Sequence, residues 1–270
     1  MKKYLIPLFF VLLGCGEHTL EELLGDLTDS SSSKGSSNVS SSSGGNGSNS
    51  GGNSGGGGNG GVVYGTSVTY QGETYPTVII GSQTWFQRNL NYAATGSKCG
   101  GTDGFLKSEN TINCDKYGRL YKWITAMKLP ASCNTSLCSS SIGNPHQGIC
   151  PTGWHIPSNA DWDRLYRYAD GTSGTSSPYG SSTAGRYLKS TNGWNHGSNG
   201  LDKFGFAALS GGYGYSYDQF SVEGNSGDWW SASTDTIYAY SRYMDSFGDK
   251  ASYDGKDKET YLLPVRCLRD

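Results

Sequence analysis

Cysteine is the residue here whose number and spacing speak most directly of chemistry. Seven are present, at positions 15, 99, 114, 133, 138, 150 and 267. None form a C-x2-C pair, and the four histidines (18, 146, 155 and 196) do not join them at zinc spacing. No metal centre is therefore expected from them. With Cys15 set aside, six remain: Cys99, Cys114, Cys133, Cys138, Cys150 and Cys267. An even set in an exported chain argues for disulfides, and six allow about 15 pairings. Proximity favours Cys99–Cys114 and Cys133–Cys138, which leaves Cys150–Cys267. That last bridge would close a loop over most of the carboxyl half and contribute about 4–5 kcal/mol by loop entropy.

Other sets with catalytic residue types carry less. Gly52-Asn53-Ser54-Gly55-Gly56 matches the G-x-S-x-G nucleophile turn, but that turn needs a strand before it and a helix after it. The surrounding tract supplies neither. His155 sits between Trp154 and Ile156, just ahead of a helix cap, where a buried structural role is expected. Asp161, Asp163 and Asp170 lie on or near one helix, where capping and solvation account for them. No H-E-x-x-H, Walker or kinase signature is present. No catalytic residue is assigned, and the chain is not expected to be an enzyme. The net charge of −2 leaves no basic patch for nucleic acid.

Recognition has a positive signal. Gly211 to Phe220 interleaves tyrosine with glycine and serine, as does Tyr238 to Tyr243. Such mixtures recur in binding loops, because tyrosine offers a large amphipathic face at low entropy cost. Tyr213, Tyr215, Tyr217, Trp229, Tyr240 and Tyr243 are the candidate ligand-binding residues. The alternative is that these rings line the strands of a β-rich core, where aromatics are enriched.

The elements that would position these residues follow from composition. Residues 1–14 open with two lysines and then run apolar for about ten residues, a signal peptide too short to cross a bilayer. Residues 15–27 carry Leu20, Leu23, Leu24 and Leu27 on one helical face, a short amphipathic segment. Residues 28–61 are nearly all Ser, Gly and Asn and cannot bury enough apolar surface to fold. As a flexible coil this tract reaches about 30–35 Å on average. Residues 62–270 hold all seven tryptophans and form the globular domain. Turn signals at Gln71-Gly72 and Gly81-Ser82 predict β-hairpins. Leu120, Trp123, Ile124 and Met127 predict a helix stopped by Pro130. Ser158 and Asp161 predict a capped helix burying Trp162, Leu165, Tyr166 and Ala169, and a third helix is expected over 182–189. Strands are expected over 204–209, 229–233, 238–244 and 261–268. Helices early and strands late predict an α+β fold with two to three helices and a twisted antiparallel sheet, braced by disulfides.

Two resemblances add to this. Leu12-Leu13-Gly14-Cys15 resembles the lipobox of bacterial lipoproteins, which implies acylation of Cys15 and attachment to a membrane. Gly16, rather than an acidic residue, follows it and points to the outer membrane, at the cell surface. The second resemblance rests on five blocks. These are Gln83-Thr84-Trp85 with Asn89-Leu90-Asn91-Tyr92, Tyr117 to Trp123, Cys150-Pro151 through Trp154-His155-Ile156-Pro157-Ser158 with Asp161-Trp162 and Leu165, Phe204-Gly205-Phe206 with Gly211-Gly212-Tyr213 and Trp230-Ser231-Ala232-Ser233, and Val265-Arg266-Cys267. Together they resemble the Fibrobacter succinogenes major paralogous domain family over nearly all of residues 66–270. By analogy this implies a C-type-lectin-like fold related to the formylglycine-generating enzymes. Those enzymes use a late cysteine pair, whereas Cys267 is the one late cysteine here. Sugar-binding lectins of that fold carry Glu-Pro-Asn and Trp-Asn-Asp triplets, and this chain has Glu223-Gly224-Asn225 and Gly227-Asp228-Trp229 instead. Asp218, Glu223 and Asp228 are the oxygen ligands that could still take up calcium.

The expectation is a membrane-anchored surface protein displaying a domain that binds extracellular polysaccharide or another surface protein. A structural envelope component without a soluble ligand is the alternative, and a degenerate enzyme the second.

Overall fold

The N-terminal hairpins form as their turns require. In a computed structural model, which describes residues 61–101, 109–172, 180–215, 219–221 and 223–269, strands β1 (Val63–Tyr70), β2 (Glu73–Ile80) and β3 (Gln83–Phe86) run antiparallel. Gln71 and Gly72 both take positive φ, the geometry of a two-residue turn that follows the strand twist. Gly81 opens the second turn at φ 63°, and a Cβ there would meet the Tyr168 ring at 2.8 Å.

Four short α-helices follow. Helix α1 (Thr111–Tyr117) is capped by Asn110, whose side chain accepts from Ile112 N–H. Helix α2 (Trp123–Met127) ends where Lys128 turns left-handed, two residues before Pro130. Helix α3 (Asn159–Asp170) carries the full capping box, with Ser158 and Asp161 each bonding the other's backbone N–H. It buries Trp162, Leu165, Tyr166 and Ala169. Helix α4 is Ala184–Leu188.

Strands β4 (Tyr213–Tyr215) and β5 (Gln219–Ser221) form a two-stranded ribbon. Strands β6 (Ser226–Thr234), β7 (Tyr238–Asp245) and β8 (Ala251–Asp257) form an antiparallel sheet in that order. Strand β9 (Leu268–Arg269) returns to the start of the domain and pairs with β3.

This corrects the expected fold. The α+β, C-type-lectin-like architecture with one twisted sheet is not what the described residues build. They form mostly β structure, in three antiparallel sheets, with four helices of 5 to 12 residues. The helical stripes misled because they form helices of only 5 to 12 residues, set between strands that open and close the described domain. The stripe from Leu120 shrank to one turn and a half once Lys128 turned left-handed. Residues 204–209 are no strand: they turn, with Gly205 and Ala207 at positive φ, and bridge only at Ala208, while Leu262 and Leu263 also pair at isolated bridges.

Two aromatic clusters fill the domain, and strand alternation feeds both. Trp85 and Trp229 enter one, with Trp162, Tyr166, Phe206, Met244 and Leu268. Their neighbours Phe86 and Trp230 enter the other, with Tyr75, Tyr121, Trp123, Trp154 and Cys267. Adjacent residues on a strand face opposite ways, so one strand anchors two cores.

Arg266 is fully buried near both clusters. Its guanidinium donates to Asn89 Oδ1 at 2.8 Å and to the carbonyls of Phe86 and Phe206 at 3.1 and 2.6 Å. Asn89 Oδ1 also accepts from Trp229 Nε1 at 2.8 Å, and its Nδ2 donates to the Tyr117 carbonyl. Burial pulls Arg266 below its ordinary pKa, and this ring of oxygens supplies the acceptors that a buried cation requires. Three disulfides, Cys99–Cys114, Cys133–Cys138 and Cys150–Cys267, pin the loops around these clusters.

Candidate functional site

The sheet β6–β7–β8 has two chemically different faces. Register places Trp229, Arg242, Met244, Ala251 and Tyr253 on one of them. That face packs on α3, where Trp162 lies 5.9 Å from Trp229 and Asp163 pairs with the buried Arg242 at 2.6 Å. The other face carries Ser226 and Asp228 from β6, Tyr243 and Asp245 from β7, and Asp254 and Lys256 from β8. Strand β4 lies beside the start of β6 through a bridge between Gly212 and Gly227, which brings Tyr213 over this polar face. The result is a cleft of about 290 Å³.

Its electrostatics are set by unequal burial. Asp228 is 3% exposed, and burial pushes its carboxyl up to about 6. The Ser226 hydroxyl, which donates to it, and the Lys256 ammonium oppose that shift, while the charges on Asp254 and Asp245 add to it. Lys256 donates to Asp254 Oδ2 at 2.8 Å. Burial lowers the Lys256 ammonium, but that hydrogen bond and the charge on Asp228 outweigh it and raise the pKa. The ammonium also lies 5.7 Å from the Tyr213 ring and 5.0 Å from the Tyr261 ring. Tyr261 in turn packs against Tyr213 and Tyr215, at 5.6 and 5.0 Å. The cleft thus combines carboxylate acceptors, an ammonium donor and tyrosine rings, which together suit a polyhydroxylated ligand with an apolar face.

The sequence candidates divide between the two faces and the core. Tyr213 and Tyr243 line the cleft with Asp228. Tyr215 packs beside it on Tyr261. Trp229 is corrected as a ligand-binding residue: its ring is 0% exposed and its indole N–H is spent on Asn89. Tyr240 points to the opposite face, edge-on to Tyr253 at 5.9 Å. Tyr217, Asp218 and Cys15 lie outside the described residues. Of the two described calcium candidates, Glu223 does not line the cleft that holds Asp228. Glu223 accepts from the Tyr117 hydroxyl at 3.0 Å and lies 3.9 Å from Lys116, turned toward α1 rather than the cleft. Among the described residues no group of three His, Cys, Asp or Glu side chains is placed to hold a metal.

Asp245, Asp254 and Lys256 went unnoticed in the sequence. Their signal is a period of two, Tyr243 with Asp245 and Asp254 with Lys256, on strands whose register the sequence does not show.

A second cleft, of about 720 Å³, opens at the N-terminus of α3 around His155, Ser158 and Asp161. The residue types are those of a hydrolytic triad. The hydroxyl, however, donates to Asp161 at 2.7 Å instead of to the imidazole, and His155 Nε2 lies 3.7 Å from the same carboxylate. A nucleophile needs the base as its acceptor. Burial raises the Asp161 carboxyl, but hydrogen bonds from His155 and Ser158 outweigh it and hold the pKa low. This is a helix cap.

No curated protein and no solved structure matches the chain. A family model does match, over residues 78–269, from the end of strand β2 through the Arg266 node and the cleft. The chain belongs to the Fibrobacter succinogenes major domain family.

Proposed function

We propose that this chain is a lipid-anchored cell-surface protein whose domain binds extracellular polysaccharide at the cleft between β4 and the β6–β8 sheet. The observation that carries the reading is the meeting of Tyr213, Tyr243 and the buried Asp228 in one cavity. Carboxylates accept hydrogen bonds from sugar hydroxyls, and tyrosine rings cover the apolar face of a pyranose. The sequence supports the anchor through the apolar leader ending at Cys15 and the Gly/Ser spacer that follows.

Detergent-solubilised full-length protein on an array of polysaccharides tests the binding reading. Binding is expected from the wild type and weakened about tenfold in Tyr213→Ala and in Tyr243→Ala. Silence on every sugar, with cell-wall association retained, would sink the reading and leave a structural role. For the anchor, cells fed labelled palmitate should transfer label to the wild-type chain and not to Cys15→Ser.

A further inference from the structure

The cleft shares a wall with a second one. Phe247 lines both the 290 Å³ site and a neighbouring cleft of about 570 Å³ that also includes His196, Asn199, Arg186 and Asp249. Phe247 is 81% exposed, the most exposed of the large apolar side chains described. A single exposed ring needs no explanation by itself. What does need one is how firmly this ring is held.

Every residue around it is tied down. Phe247 N–H donates to Asp245 Oδ1 at 2.9 Å. Ser246 N–H donates to the Asn225 carbonyl at 2.8 Å, and its hydroxyl pairs with His196 Nδ1 at 3.0 Å. Lys189, itself fully buried, donates to the carbonyls of Asp245 and Gly248, at 3.1 and 2.8 Å, on either side of the ring. The His196 imidazole stacks against the phenyl ring at 5.1 Å and 27°. A buried cation and an imidazole thus brace an apolar ring that contributes little to the core. An aromatic held in place loses little freedom when a ligand covers it.

We propose that Phe247 is a stacking platform joining the two clefts into one trough, and that the trough takes a glycan chain of several pyranose rings rather than a single sugar. Each cleft approaches the size that holds one small molecule, and the shared ring lies at their junction. The second cleft offers donors and acceptors in balance, with Arg186 and Asp249 3.8 Å apart, as hydroxyls require. Stacking favours rings with equatorial substituents and axial C–H bonds on their faces, so the ligand class is an extended, equatorially linked polymer. This rests on the polysaccharide reading above.

The test uses β-1,4-linked glucose oligomers of one to six units, titrated calorimetrically into detergent-solubilised full-length protein. Affinity should rise about tenfold between two and five units in the wild type. Phe247→Ala should abolish that rise while leaving the melting temperature unchanged, and Phe247→Trp should keep the rise. Affinity independent of length, or a rise that survives Phe247→Ala, overturns the inference and leaves binding in the Tyr213 cleft intact. Binding to other polysaccharides on the array with no response to the glucose series also overturns the inference alone. Silence in both experiments overturns it together with the reading on which it rests.

Discussion

Asp228 and Trp229 are neighbours on one strand and belong to two different regions. Trp229 joins the buried node around Arg266, where one cation is met by Asn89 and by the carbonyls of Phe86 and Phe206. Asp228 faces the cleft, where the Ser226 hydroxyl and a nearby ammonium answer only part of its charge. Both regions bury an ionisable group. In the node the partners are complete, and the charge serves the fold. In the cleft the carboxyl also has a shifted pKa, but it lines a cavity beside Tyr213 and Tyr243 instead of closing a network of the fold. The Asn89, Tyr117, Phe206 and Arg266 positions of the sequence blocks meet at the node, whereas the cleft takes Tyr213 from them and Tyr243, Asp254 and Lys256 from outside them.

If the node is structural, its loss should be the largest effect. Arg266→Ala leaves a large cavity and takes a donor from the buried Phe86 and Phe206 carbonyls, and should cost about 3–5 kcal/mol in chemical denaturation, enough to leave little folded protein. A variant that folds normally and loses only ligand binding would erase the distinction. The next effect is in the cleft and has the opposite sign. A carboxyl that titrates near 6 when folded and near 3.8 when unfolded favours the folded state fully below 3.8, and that stability is lost as pH rises through about 6. Asp228→Asn should therefore be stabilised at pH 7 relative to wild type, by up to about 3 kcal/mol, and should lack the wild-type slope between pH 4 and 6. A wild-type stability curve flat over that interval would contradict the burial of this charge. The same ionisation sharpens the functional side: sugar affinity should weaken as pH falls below 6, when the acceptor is protonated. Smallest is Tyr213→Ala, expected to change the melting temperature little while weakening polysaccharide binding about tenfold, since one aromatic contact is worth about 0.5–1.5 kcal/mol.

Local signals were legible and distant ones were not. Gln71-Gly72 and Ser158 with Asp161 each encode their geometry within a few residues, and both form as read. Strand β8, Ala251–Asp257, has little apolar alternation because one of its faces lines the cleft, so nothing in its composition marks it as a strand. Strand β9 is two residues long and exists only by pairing with β3. The site suffered for the same reason. Tyrosine content drew attention to Tyr240 and Trp229 as readily as to Tyr213 and Tyr243. Which of them meets solvent depends on strand register, and one step along a strand exchanges the faces. The bulge between Trp230 and Thr234 shifts that register within β6 itself.

The pairing of β9 with β3 sets the order of events when the protein is made. The first sheet opens at Val63 and is closed by Leu268 and Arg269. Arg266 and Cys267 also arrive last, so the node and the longest disulfide wait for the same few residues. Until β9 is available the first sheet lacks its closing strand, and pairing across so long a span makes folding slow. Without Leu268 and Arg269 the first sheet would have no strand beside β3 on that side.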